Sequence, residues 1–167
     1  MTRFTDPQLS IATMASWGLD VVCPQCKAKA AVVGWARLTC PSCSYVKAGR
    51  GNTLWGGPVD PHFHQPLWWQ ADFRGHTLWA FNRRHLTLLE NYVAADLRER
   101  GPIAGRNMTM VAKLPAWLKS AKNRDGILRT IAKMREADGP TGNPGAFRRT
   151  MHVYGRTVPV CDKGCCR

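Results

Sequence analysis

Short runs of strand-forming residues recur in the first half of the chain, where apolar and polar residues alternate within a few positions of each other. Residues 17–22, 30–35, 37–39 and 44–47 are each short and rich in strand-forming or alternating residues, so they predict strands of one small sheet. Residues 67–81 hold two further runs separated by a glycine turn and predict a β-hairpin rich in tryptophan. Apolar residues occur there at both parities, so we expect both faces of the hairpin to be covered.

Helical spacing replaces this alternation in the second half of the chain. The clearest pattern predicts a helix over Arg83–Arg100, with Asn82 as its N-cap and Gly101-Pro102 as its end. Its apolar stripe recurs at i, i+3, i+7 and i+11: Leu86, Leu89, Val93 and Leu97. Further helical segments are predicted at 115–122 and 125–137. The chain is therefore expected to be an α+β protein with about three helices packed against the sheet and hairpin.

Four regions follow from these patterns. Residues 1–16 are weakly periodic and form an N-terminal extension with room for a short helix. Residues 17–50 hold the small sheet. Residues 51–138 begin with a glycine- and proline-rich linker and continue as the hairpin and helical region, packed on the small sheet. Residues 139–167 combine glycine, proline and basic residues and predict a flexible basic tail.

Charge adds a functional expectation. The chain has 167 residues, a net charge of +13 and a pI near 10.0. Such an excess favours a polyanionic partner, DNA or RNA, although a merely solubilising surface is the simpler alternative. The excess lies in residues 23–61, in 102–138 and in the tail, whereas 1–22 and 62–101 are close to neutral. The candidate phosphate-contacting residues are Lys119, Lys122, Arg129, Lys133, Arg83, Arg84, Arg148 and Arg149.

The strongest chemical signal is a pair of C-x2-C motifs, Cys23-Pro24-Gln25-Cys26 and Cys40-Pro41-Ser42-Cys43. Each motif can present two thiolates on a tight turn, and four thiolates make a tetrahedral site that suits Zn²⁺. A rubredoxin-like iron site and redox-active dithiols are the alternatives. Because thiolates would fill all four positions, a single zinc ion is expected to hold the fold rather than to catalyse.

The ligand set Cys23, Cys26, Cys40 and Cys43 resembles the zinc ribbon group seen in transcription factors, ribosomal proteins and polymerase subunits. The resemblance covers about residues 17–50 and implies docking to nucleic acid or protein, without implying one activity.

A second resemblance, to an uncharacterised group of bacterial proteins that also begin with a zinc ribbon, extends over most of 17–138. It rests on Leu114-Pro115-Ala116-Trp117 and on a longer run of the form LWA[YF]N..HL, here Leu78-Trp79-Ala80-Phe81-Asn82-Arg83-Arg84-His85-Leu86. No established activity comes with this group. Some members carry a cysteine pair where this chain has Asp72 and Phe73, so a metal site in the hairpin is not expected.

Other candidate chemistry is weaker. His62 and His64 are interpreted as loop histidines, because no third ligand is near them in sequence. The tail has one candidate for a second metal site, with plain thiols as the alternative: Cys161, Cys165 and Cys166 with His152. The tryptophans are interpreted as core residues, with a base-stacking platform as the alternative. No dinucleotide fingerprint, nucleophile elbow, H-E-x-x-H or paired carboxylates occur, so no enzyme activity or small-molecule substrate is predicted.

Together these patterns predict a non-enzymatic, zinc-binding accessory protein that binds nucleic acid through a basic helix and tail. The alternative is a protein-interaction adaptor, in a larger assembly that includes nucleoproteins, with the ribbon as its docking module. A hydrolase would need a specific carboxylate or histidine that the pattern does not reveal. The chain has no run of 18 or more apolar residues and no hydrophobic block near its start, so we expect a cytoplasmic protein that does not contact membranes.

Overall fold

A computed structural model of the chain shows a mixed α+β fold, with short strands and four α-helices in the part of the chain that it describes. The structure describes residues 1–34, 36–49, 56–99, 101 and 109–138, and only the backbone of Thr150–Val153 and Arg156–Pro159.

The cysteine-bearing sheet has four antiparallel strands in the order β2-β3-β4-β5. These strands are β2 (Leu19–Val22), β3 (Lys29–Val33), β4 (Arg37–Thr39) and β5 (Val46–Ala48). Alternate side chains of the first three strands are buried, as strands with one covered face require. All three side chains of β5 are exposed. The four predicted runs therefore form strands, with the last one shifted toward the C-terminus.

The hairpin consists of β6 (Trp69–Phe73) and β7 (His76–Ala80), with Trp69 opposite Ala80. Its two-residue turn, Arg74-Gly75, has φ values of 52° and 79°. Two consecutive positive φ values are those of a type I′ β-turn, whose twist matches the twist of the flanking strands. Glycine adopts the second of these conformations without steric cost. The consecutive residues Trp69, Gln70 and Ala71 are all buried, so both faces of β6 are covered.

Helix α2 (Arg83–Ala94) begins at the predicted N-cap, since the Asn82 side chain accepts a hydrogen bond from the backbone N–H of His85. The same side chain donates to the carbonyls of Met14 and Gly18 at distances of 3.2 and 2.7 Å. Asn82 therefore joins α2 to the N-terminal helix α1 (Ile11–Ser16).

The prediction that this helix continues to Arg100 is wrong. It ends at Ala94, and the chain continues as β8 (Leu97–Glu99), which pairs in parallel with β1 (Arg3–Thr5). Two features favour this end. The Arg98 side chain donates to the carbonyls of Tyr92 and Val93, and the pairing with β1 supplies backbone partners for the extended chain.

The C-terminal helical region consists of α3 (Ala116–Lys119), a 3₁₀ turn (Ala121–Asn123) and α4 (Arg124–Ala137). Helix α4 packs on α2 and on β6. Its buried stripe is Ile127, Ile131 and Met134. Beyond it, strands β9 (Thr150–Val153) and β10 (Arg156–Pro159) form an antiparallel pair that the sequence patterns did not predict. The remainder of the predicted tail lies outside the described residues.

The cysteine-bearing sheet shares one hydrophobic core with the hairpin and with helices α1, α2, α3 and α4. Strand β2 makes the junction: Val21 forms a β-bridge with Leu67, and the indole N–H of buried Trp69 donates to the Asp20 carboxylate at 2.6 Å. The Lys29 ammonium lies 3.4 Å from the same carboxylate. The sheet is therefore joined to the hairpin by the hydrogen bond to the Asp20 carboxylate as well as by apolar packing. Among the described residues, no helix is both long and apolar enough to cross a membrane.

Candidate metal centre

The first C-x2-C motif forms the turn between β2 and β3. The backbone N–H of Cys23 donates to the carbonyl of Ala28 at 2.8 Å, and the N–H of Lys27 donates back to the carbonyl of Cys23 at 3.1 Å. Lys27 has a φ of 64°, in the left-handed region. These bonds bend the chain sharply enough to place both sulfurs of the motif on one side of the turn.

The second motif repeats the same geometry between β4 and β5. The N–H of Cys40 donates to the carbonyl of Tyr45 at 2.9 Å, which is again the fifth residue after the first cysteine. Ser44 has a φ of 59° and occupies the position that Lys27 has in the first turn. Two turns with the same bond and the same left-handed residue therefore face each other across the end of the sheet.

The four sulfurs converge. Cys23 Sγ lies 3.7 Å from Cys43 Sγ, Cys26 Sγ lies 3.5 Å from Cys40 Sγ, and all four sulfurs lie within 4.8 Å of one another. A zinc–sulfur bond of about 2.3 Å in a regular tetrahedron corresponds to sulfur–sulfur distances of about 3.8 Å. A disulfide would need a separation of about 2.05 Å, and all four thiols are free. The arrangement fits a tetrahedral metal ion.

The thiol pKa values are unequal in this cluster. Burial raises the pKa of Cys40, but hydrogen bonds from the backbone of Cys43, from the Cys26 side chain and from the backbone of Ser42 outweigh it and lower the pKa to about 7. At Cys43, a backbone hydrogen bond from Tyr45 lowers the pKa, while burial and the neighbouring thiols raise it to about 12. One thiolate thus opposes ionisation of the next, and a bound divalent cation would remove that opposition.

One side of the cysteine cluster is buried in the protein, and the other side is exposed to solvent. Cys23 and Cys40 are buried and belong to the hydrophobic core, whereas Cys26 is exposed. An ion bound here would connect the core to the two surface turns. Because one ligand is exposed, chelators and thiol reagents can reach the site from solvent.

Among the described residues, these cysteines are the sole group of three or more His, Cys, Asp or Glu side chains placed to hold a metal ion. His62 and His64 lie half-buried in a loop that the buried Asp60 carboxylate organises. That carboxylate accepts backbone N–H bonds from His62, Phe63 and Gln65. The predicted second site at Cys161, Cys165 and Cys166 lies outside the described residues, and for His152 only the backbone, in β9, is described.

The predicted phosphate-contacting residues have different environments. Lys122, Arg129 and Lys133 are exposed, the last two one turn apart on α4. Lys119 is half-buried and donates to the carbonyl of Ala112 at 2.9 Å, so its ammonium is partly engaged.

The basic candidates of α2 lie at its N-terminus. Arg83 is exposed, and the guanidinium of Arg84 lies 3.8 Å from the centre of the Trp17 ring. Helices α2 and α4 run antiparallel, since Arg124 at the start of α4 bonds to Asp96 just beyond the end of α2. Arg83 therefore belongs to the other end of the helix pair from Lys122. Arg148 and Arg149 lie outside the described residues.

Three other arginines have structural roles that the sequence patterns did not reveal. Arg98 bonds to the carbonyl of Lys119 at 2.7 Å, Arg124 bonds to the carbonyl of Ala95 at 2.9 Å, and Arg135 bonds to Glu90 at 2.8 Å. Arg98 connects strand β8 to α3, and Arg124 and Arg135 connect α4 to α2 and to the residue that follows α2. Their charges are therefore directed into the fold, and the exposed lysines and arginines supply the outer positive surface.

Three tryptophans in or near the hairpin make contacts within the fold. Trp69 is fully buried, and the indole N–H of Trp68 donates to the carbonyl of Asp138 at 2.7 Å. Trp117 stacks on His76 with ring centres 4.9 Å apart and planes 5° apart. The buried Trp69 ring is not placed to stack on a base.

No family model matches the chain, and neither the curated proteins nor the solved structures contain a match to it. The resemblances to the zinc ribbon group and to the bacterial group stay predictions, and the converging cysteines carry the functional argument.

Proposed function

We propose that the protein is a zinc-binding accessory protein in which one structural Zn²⁺ is held by Cys23, Cys26, Cys40 and Cys43, and whose exposed basic surface binds DNA or RNA. The convergence of the four sulfurs within 4.8 Å carries the proposal. Four thiolates leave no coordination position for water or substrate, so the ion stabilises the fold.

The repeated turn geometry supports the zinc ribbon assignment. Each turn satisfies its first cysteine N–H through a carbonyl five residues later, so both turns hold their sulfurs in the same orientation. Strand β5, which follows the second turn, has no buried side chain, so apolar packing of its own side chains contributes little to holding it in place. A metal bridge between the two turns supplies the missing stabilisation.

Nucleic-acid binding is supported by the net charge of +13 and by the exposed basic residues of α4. Arg129 and Lys133 lie on one face of α4 and make no ion pair with other described residues. Their charges are available to release counterions from a phosphate backbone. Contacts of this kind position a protein on nucleic acid without reading its sequence.

The metal proposal is tested by elemental analysis of the purified protein. We expect one zinc per chain, and Cys26→Ser should lower metal content because serine is a poor zinc ligand. Ser42→Ala changes an exposed residue of the second turn and is the matched control. Absence of bound metal, or full metal content in Cys26→Ser, would contradict the proposal.

Nucleic-acid binding is tested by fluorescence anisotropy with labelled single- and double-stranded DNA and RNA over a salt series. The double variant Arg129→Gln/Lys133→Gln should weaken binding, and on duplex DNA it should reduce the salt slope by about 0.9 for each phosphate that the protein no longer neutralises. Arg37→Gln/Lys47→Gln removes equal charge from the cysteine-bearing sheet and should have a smaller effect. Equal effects would show binding through net charge alone, and no binding to any probe would refute this half of the proposal.

The adaptor alternative has one supporting observation. Val33 and Val46 on the cysteine-bearing sheet are 45% and 54% exposed, although both are large apolar residues. Strand β5 is also an edge strand within the described residues. An exposed edge with apolar side chains can pair with a protein partner. Affinity for a protein that persists at high salt, without nucleic-acid binding, would favour this alternative.

A further inference from the structure

The four cysteines of the metal centre differ in their access to solvent. Cys26 is exposed and Cys43 is half-buried, whereas Cys23 and Cys40 are buried. A small solute such as a hydroperoxide therefore reaches the Cys26 sulfur before it reaches the two buried sulfurs. Cys26 is the point at which a reagent from solvent first meets this site.

The surroundings of Cys26 are cationic. Residues 23–49 contain no aspartate or glutamate and four cationic residues: Lys27, Lys29, Arg37 and Lys47. Lys27 follows Cys26 directly, and its ammonium stays on the same turn, where it donates to the carbonyl of Pro24 at 3.0 Å. Reactive cysteines lie in electropositive, partly exposed surroundings of this kind. Both conditions are met at Cys26.

A second sulfur lies next to Cys26, on the other cysteine turn. Cys26 Sγ is 3.5 Å from Cys40 Sγ, while Cys23 Sγ is 3.7 Å from Cys43 Sγ. Because a disulfide bond is about 2.05 Å long, the sulfurs of Cys26 and Cys40 need to approach by only about 1.5 Å. Rotation of the exposed Cys26 side chain can supply most of this movement. An oxidised Cys26 therefore has a buried thiolate within reach.

We propose that a hydroperoxide oxidises the metal centre at Cys26, and that the reaction ends in a Cys26–Cys40 disulfide that releases the zinc ion. This inference rests on the proposed zinc site and adds redox control to it. Cys26 is the residue that is attacked from solvent, and Cys40 is the residue that resolves the oxidised sulfur.

The chemistry proceeds in two steps. The Cys26 thiolate attacks one oxygen of hydrogen peroxide, so that an S–O bond forms, the O–O bond breaks, and the departing hydroxide takes a proton from solvent to become water. The Cys40 thiolate then attacks the sulfenic sulfur of Cys26. An S–S bond forms, the S–O bond breaks, and the second hydroxide also becomes water. Two electrons pass from the two sulfurs to the peroxide.

The disulfide changes what holds this end of the sheet. It removes two of the four ligands, and the remaining thiolates of Cys23 and Cys43 are an incomplete set for a tetrahedral structural ion. The new bond encloses β3 and β4 but not β5, which begins at Val46 and has no buried side chain. Oxidation should therefore loosen β5 and leave β3 and β4 tied together.

The test begins with the zinc content of the purified full chain. Hydrogen peroxide is then added, released zinc is followed with a chromogenic chelator, and free thiols are blocked with iodoacetamide before digestion and tandem mass spectrometry. We expect one zinc released per chain together with a Cys26–Cys40 bond, both reversed by a dithiol reductant and added zinc. Amide hydrogen exchange should become faster in Val46–Ala48 and stay slow in Lys29–Val33.

Cys26→His is the matched variant, because an imidazole nitrogen is also a zinc ligand but forms no disulfide. It should bind zinc and release it in peroxide at least about tenfold more slowly than the unaltered chain. The disulfide map of the unaltered chain needs no variant, so the test stands even if Cys26→His does not fold.

The outcomes separate the metal site from its redox control. A chain that purifies without metal refutes the zinc site and this inference with it. A chain that binds zinc and keeps it in peroxide refutes the redox control alone. A Cys23–Cys26 bond, a sulfinic acid at Cys26 in place of the disulfide, or equal release rates for Cys26→His and the unaltered chain would also overturn it.

Discussion

The burial of neutral His85 predicts a specific loss of stability in mild acid. Folding lowers the pKa of this group from 6.5 to about 4, and desolvation is the cause. As pH falls below 6.5, the unfolded chain binds a proton before the native protein does, so protonation favours unfolding. The contribution is complete above pH 6.5, decreases between pH 6.5 and 4, and is lost below pH 4.

The size of the effect follows from that pKa difference. Each pKa unit corresponds to about 1.4 kcal/mol, so lowering the pH from 7 to 5 should cost about 2 kcal/mol, and lowering it to 4 about 3 kcal/mol. A loss of this size is a large fraction of the stability of an ordinary domain.

The assay is urea denaturation at pH values from 7.5 to 4, performed on the natural chain and on His85→Asn. The asparagine oxygen can replace Nδ1 as the acceptor for the Phe81 N–H, and it does not titrate in this range. Acid also protonates cysteine thiolates and would release a bound metal, but this loss is common to both proteins. The difference between their free energies of unfolding therefore isolates His85.

A difference that stays constant with pH would refute the burial of a neutral His85. A difference that changes with the opposite sign would also refute it, because His85 would then be charged in the native protein. A midpoint near pH 6.5 with little total change would show that water reaches the ring.

Three further predictions concern packing and hydrogen bonds, each measured by urea or thermal denaturation. Asn82→Ala removes the N-cap of α2 and two hydrogen bonds to the N-terminal segment. It should lower the free energy of unfolding by about 2 kcal/mol. Asn91→Ala, on the exposed side of α2, is the control and should lower it only slightly. Gly126→Ala places a methyl group 2.8 Å from the Phe73 ring. It should lower Tm, although alanine has the higher helix propensity. A higher Tm would show that the Phe73 side chain can move aside without cost. Asp60→Ala leaves three backbone N–H groups without their acceptor. It should lower the free energy of unfolding by about 3 kcal/mol or more. An unchanged free energy of unfolding would mean that water replaces the carboxylate.

Local signals predicted the cysteine cluster and most of the strands. The spacing of Cys23, Cys26, Cys40 and Cys43 was enough to predict their convergence, because each C-x2-C turn is determined by a few adjacent residues. The Asn82 N-cap is confirmed for the same reason. Features that depend on neighbours along the chain can therefore be predicted from the sequence alone.

Features that depend on distant partners were not predictable. Leu97 continues the apolar stripe of α2 in sequence, yet it is 37% exposed and lies in a strand, because pairing with β1 and the carbonyl bonds of Arg98 outweigh helix propensity. Sequence patterns placed Arg129 on the exposed face of α4 but did not reveal that Arg124 bonds inward, to the carbonyl of Ala95. Such a distinction needs the positions of carbonyls and carboxylates supplied by other segments.

The parallel pairing of β1 with β8 has a consequence for biosynthesis. Arg3 lies opposite Leu97, so the first strand leaves the ribosome long before its partner has been translated. During that interval its backbone groups are exposed to other chains and to chaperones, since contacts between distant residues form late and slowly. The two cysteine turns span fewer than twenty-five residues, from Cys23 to Cys43, so an early nascent chain can already bring the four sulfurs together before Leu97–Glu99 has been translated.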